Sequence, residues 1–187
     1  MPNAHIFSRF GFVSYDGNRH DRILELPAAS SIDDAVSGGG LPPLSSEAVR
    51  QTTAAHKGRW DDAGPFFEAA LLSLPLTRAP SNGAEAEVKA AGAILQWLRR
   101  SAAEEFATSR EDDEAMLRVL RERLSAEAES GDEEADGEEA IMACVLAYRV
   151  QRKRLFEVAV DVLEAHVETH APEEEQEPQK GGAIQPE

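Results

Sequence analysis

Two groups of residues in this 187-residue chain have the types and spacing to do chemistry. Tyr148, Arg149, Arg152, Lys153, Arg154 and Phe156 set four cations and two aromatic rings within nine residues. Guanidinium and ammonium groups can hold phosphates while a ring stacks on a base, so this basic collar is the candidate contact site for a partner. On a helix its members advance by about 100° per residue, so they spread around the axis and interrupt any apolar face. The alternative is that the collar pairs with the acidic run 127–139, or is simply a solvated helix surface.

His166 and His170 form the second group. Four residues apart on a helix, with Glu164 nearby, they have a spacing that suits zinc or nickel. The glutamate of the pentad His166-Val167-Glu168-Thr169-His170 stands third, so the HExxH arrangement is absent, and no third ligand is evident. A solvated pair that complements the helix C-terminal dipole is the alternative, and no bound metal is expected.

Other candidates are weaker. Cys144 is the only cysteine and lies in an apolar run, which excludes a disulfide framework and favours an inert thiol. Gly38-Gly39-Gly40 is not followed by Lys-Ser or Lys-Thr, so it is no phosphate-binding loop. The Glu-x-x-His pairs of a di-iron bundle and the spacing of a calcium loop are both missing. Neither an enzyme nor a cofactor is expected.

The elements that must position these residues read as helices. Asn82 with Glu85 suggests a capping pair, after which Val88, Ala91, Leu95, Leu98, Ala102 and Phe106 recur at helical spacing, widened by Ile94 and Trp97. A second start at Ser109 with Asp112 precedes Met116, Leu117, Leu120 and Leu124. A third helix is framed by Asp136 and Glu139 and carries Ile141, Val145, Tyr148, Leu155, Val158, Val162 and Val167 until Pro172. Shorter helices are predicted over 46–56 and 65–74, the latter with Pro65 at its first position. Two short runs, 9–15 and 22–26, flank Asp16-Gly17-Asn18 and suggest a hairpin.

The expected fold is therefore mainly α, a small bundle of three long amphipathic helices preceded by shorter helices and an N-terminal β-hairpin. Its divisions are a hairpin segment 1–26, a Gly/Pro/Ser linker 27–44, a helical domain 45–169 with an acidic linker at 127–138, and a disordered acidic tail 170–187. Trp60 and Trp97 read as core anchors.

Charge sharpens the functional reading. The formal net charge of −16 is concentrated in the run 127–139, with eight acids and no bases, and in the tail from 171, with five acids and one lysine. The body is nearly balanced, so total charge does not exclude an anionic partner. With no signal-peptide pattern and no apolar run near the length of a bilayer span, a cytoplasmic protein without a membrane partner is expected. The function expected is a non-enzymatic interaction protein, an adaptor, chaperone-like or regulatory factor, that binds another protein or itself as a homo-oligomer. Leu117, Leu120, Leu124, Leu155 and Val162 are the residues for packing or association. A helical dimer that binds RNA or DNA through its arginines is the alternative.

Overall fold

The computed structural model describes residues 17–21, 23, 41–130 and 137–172, with backbone only for 127–130. Among the described residues the chain is mainly helical, with one short strand pair. In order come β1 (Leu44–Ser45), α1 (Ser46–Ala55), a 3₁₀ turn (Asp61–Ala63), α2 (Pro65–Ser73), β2 (Leu76–Thr77), α3 (Ala84–Glu105), α4 (Arg110–Ser130) and α5 (Gly137–His170).

Local chemistry explains most boundaries. Pro65 opens α2 at the first turn, where its missing N–H leaves no bond unmade. The start of α4 is a reciprocal cap: the Asp112 amide donates to Ser109 Oγ at 3.0 Å, and the Ser109 amide donates to Asp112 Oδ2 at 3.3 Å. The start of α3 differs from the expected cap by Asn82. Its N-cap is Gly83 at φ 106°, a left-handed conformation that a side chain disfavours, and no side chain caps the helix. α4 also runs to Ser130, into the expected linker, because Ala126, Glu127 and Ala128 favour helix.

The strand pair is parallel, Leu44 beside Leu76 and Ser45 beside Thr77. It fastens the chain entering α1 to the chain leaving α2, and Leu41 and Leu44, at the end of the expected linker, are buried in the core. Most of the expected hairpin, residues 27–40 and most of the acidic tail lie outside the described residues. At 17–21 a turn is present, with the Asp21 amide donating to the Asn18 carbonyl at 2.9 Å. Gly17 is required there, since a Cβ would come within 2.7 Å of the Phe66 ring.

α5 is the spine. Polar side-chain contacts put α3 antiparallel to its C-terminal half, Glu87 beside His166 and Glu105 beside Arg152. They put α4 antiparallel to its N-terminal half, Asp113 beside Lys153 and Arg123 beside Glu139. α3 and α4 thus cover successive stretches of one helix, with α1 and α2 also packed on α5. The main core joins Ile94, Leu95 and Leu98 of α3 and Phe66 and Ala69 of α2 to Leu155, Phe156, Val162 and Leu163 of α5. Ala90, Ala91, Ala159 and Ala165 let the helices approach closely within that core. A smaller cluster joins Leu117 of α4 to Ala143, Leu146 and Ala147, with Leu120 and Leu124 partly buried against it.

Candidate functional site

The collar lies where the cover on α5 passes from α3 to α4, and its members point in different directions. Lys153 is buried, with Nζ 2.6 Å from Asp113 Oδ2, 2.7 Å from the Thr108 carbonyl, 2.8 Å from the Ser109 carbonyl and 3.0 Å from Thr108 Oγ1. Its three N–H donors thus hold the α3–α4 connection to the spine. Arg149 reaches the same place from one turn earlier, donating to Thr108 Oγ1 at 2.6 Å and lying 3.3 Å from Asp113. Thr108 in turn donates to Asp113 Oδ1 at 2.7 Å. Burial alone would raise the Asp113 carboxyl, but bonds from Lys153 and Thr108 and the nearby Arg149 charge hold it below the usual aspartate range.

Arg152 is also buried and forks onto Glu105 with bonds of 3.1 and 3.0 Å. Its guanidinium stands 5.4 Å from the centroid of the Phe156 ring, which meets Phe106 edge-on at 5.5 Å. Arg154 points the opposite way, over Phe66 at 4.9 Å, and donates to the Asp62 carbonyl at 2.9 Å. Tyr148 is half-buried, and burial pushes its hydroxyl above the ordinary phenol value. Glu105 and Asp113 are carboxylates that meet the collar, and Asp21 acts on Tyr148, whereas residues 131–136 of the acidic run lie outside the described residues.

Of the residues expected to pack or associate, Leu155 and Val162 belong to the main core, and Leu117, Leu120 and Leu124 line the α4–α5 contact. Beside that contact is an open groove of about 850 Å³. Leu117, Ala147 and Val150 give it apolar walls, and Glu114, Arg118, Arg121 and Glu122 of α4 line it with both signs of charge. On the same two helices Met116, Val119, Ile141 and Met142 remain exposed.

The histidine pair is brought together, with ring centroids 4.5 Å apart, but inside a polar network rather than at a solvated helix end. His166 is 1% exposed, 3.2 Å from Glu87 through Nε2 and 2.9 Å from Thr52 Oγ1 through Nδ1. Among the described residues no group of three His, Cys, Asp or Glu side chains is placed to hold a metal ion. Cys144 is half-buried on α5.

The sequence reading missed the acidic and hydroxyl partners. Glu87 stands in register with Ala90, Ala91, Ile94 and Leu98, and Asp113 with Leu117, Leu120 and Leu124. A carboxylate in an apolar helical stripe needs a buried partner, which was the available signal. Asp161 was missed for the same reason: it accepts from the Trp60 indole at 2.6 Å and pairs with Arg59 at 2.6 Å. In the described residues, no helix is long and apolar enough to cross a membrane. No protein-family model matches the chain, and no curated protein matches it in sequence.

Proposed function

We propose that this chain is a non-enzymatic interaction protein whose contact surface is the α4–α5 groove, and that a second copy of the chain occupies it. The observation that carries the reading is the one-sided cover of the N-terminal half of α5. Among the described residues α4 is its chief cover, and the groove beside that contact stays open. The residues of α4 along the groove run Glu114, Leu117, Arg118, Arg121, Glu122 and Ser125, one stripe at helical spacing. The stripe is self-complementary. A second α4 laid antiparallel about a twofold axis between Leu117 and Arg118 brings Glu114 of each copy, which Arg110 holds at 2.6 Å within the chain, against Arg121 of the other. Two hairpins joined in this way make a four-helix arrangement, with the groove walls as its inner surface.

The partners of the collar speak against phosphate binding. Arg149, Arg152 and Lys153 already have carboxylate partners within the chain, as do Arg59, Arg99 and Arg110 elsewhere on the surface. A nucleic acid would have to displace these carboxylates.

Light scattering on the 20.3 kDa chain after size exclusion tests the proposal. The expected result is a dimer that persists in high salt, weakened by Glu114→Arg or Arg121→Glu alone and restored in the double variant. A monomer at every concentration, or a dimer indifferent to both swaps, overturns it.

A further inference from the structure

Four polar residues with no role in the groove are buried together where β1, α1, α3 and α5 meet. Ser45, Thr52, Glu87 and His166 are each 5% exposed or less. The Ser45 amide donates to both Glu87 oxygens, at 3.2 and 3.3 Å, and Glu87 Oε2 lies 3.2 Å from His166 Nε2. Thr52 Oγ1 is 2.9 Å from His166 Nδ1, 3.4 Å from His170 Nε2 and 3.2 Å from the Ala48 carbonyl. His170 Nε2 is itself 3.2 Å from that carbonyl.

With both rings neutral, every proton has an acceptor. His166 Nε2–H serves Glu87, the Thr52 hydroxyl serves His166 Nδ1, and His170 Nε2–H serves the Ala48 carbonyl. A proton on His166 Nδ1 turns that nitrogen into a donor to Thr52 Oγ1, and the Thr52 hydroxyl then shares the Ala48 carbonyl with His170, so the hydrogen bonds reverse and what the site gains is a buried positive charge. If both rings are charged, two imidazoliums 4.5 Å apart share one carboxylate. The charged and titratable groups acting on His166 are Glu87 from α3 and His170 from α5. α1 offers only the Thr52 hydroxyl and the Ala48 carbonyl, with His56 further along against Thr169, and β1 offers the Ser45 amide.

We propose that this network is an acid-sensitive latch that ties β1 and α1 to the last turns of α5 at neutral pH and lets them part when the buried His166 takes up a second ring proton. The direction agrees with the environment of His166. Burial, and then the charge of His170, lower its pKa from 6.5, against the opposing pull of Glu87. A histidine depressed in this way contributes stability in full above its unfolded value, and that contribution is lost as the pH falls through the depressed one.

Hydrogen exchange by mass spectrometry on the full chain, corrected for intrinsic rates, tests the latch between about pH 7.5 and pH 5.5. Amides of α1 and of residues 163–170 should lose about tenfold or more in protection over that range, while the middle of α3 keeps its own. His170→Gln, at a partly exposed position, removes a charge that depresses His166 and should therefore shrink the loss, and His166→Gln should flatten it. Unchanged protection in α1, equal loss in every helix, or a wild-type profile in His170→Gln would overturn the proposal.

Discussion

The two halves of α5 belong to one helix but not to one environment. From Leu155 to Ala165 it is enclosed by α1, α2 and α3, and Leu155, Phe156, Ala159, Val162, Leu163 and Ala165 are buried in the main core. From Gly137 to about Val150 its cover in the described structure is chiefly α4, and only Ala143, Leu146 and Ala147 are buried, while Ile141 and Met142 stay exposed. Burial stabilises by roughly 25 cal/mol per Å² of apolar surface, so the first half adds much less to stability than the second. Propensity does not separate the halves, since each mixes alanine and leucine with β-branched residues. Neighbours do, and the half with fewer neighbours keeps surface for a partner.

The junction between the halves gives the largest expected effect. Asp113→Ala leaves the Lys153 ammonium buried without its carboxylate and should cost about 3–5 kcal/mol in denaturant unfolding. If the halves are as different as their cover implies, the unfolding curve should also split, with α4 and the start of α5 loosening before the core. One cooperative transition at unchanged midpoint would remove the distinction.

Next comes a matched pair. Leu163 and Leu146 are 0% and 2% exposed, so burial alone predicts equal losses on truncation to alanine. Surroundings predict otherwise. Leu163→Ala opens a cavity among several helices and should cost about 3–5 kcal/mol. Leu146→Ala lies between two helices that can close the gap, and should cost about 2 kcal/mol. Equal losses would mean that the N-terminal half is as tightly held as the core.

This contrast was only partly legible in the sequence. The short helices could be read because Pro65 and the flanking Gly and Pro residues punctuate them, and α3 and α4 because Ile94, Leu95 and Leu98, then Leu117, Leu120 and Leu124, keep helical spacing. The setting of the collar could not be read. Arg152 and Lys153 lie in register with Leu155 and Phe156, and their partners Glu105 and Asp113 are 47 and 40 residues away. Thr52 and His166 are separated by 114 residues, and β1 and β2 are two residues each, too short to show a period. Pattern reveals local order, whereas burial of a charge depends on which distant carboxylate the fold delivers.

The smallest effects test whether the enclosed half depends on its surface charges. Arg59 holds two acids of α5, Asp161 at 2.6 Å and Glu168 at 3.2 Å. They are not equivalent. Asp161 also accepts from the Trp60 indole, and bonds from Arg59 and Trp60 outweigh burial and hold its carboxyl below the usual range. Asp161→Asn should therefore lower stability by about 1.5–3 kcal/mol at neutral pH. That difference should shrink as the pH falls through the wild-type carboxyl's depressed pKa, because the stabilisation is present above the unfolded value and lost on protonation. Glu168 is more than half exposed and makes a single contact with Arg59, so Glu168→Ala should change stability by no more than about 0–1 kcal/mol, and less in high salt. A larger loss at Glu168 than at Asp161, measured by thermal unfolding of both variants, would mean that the end of α5 is held by its surface charges rather than by the enclosed core.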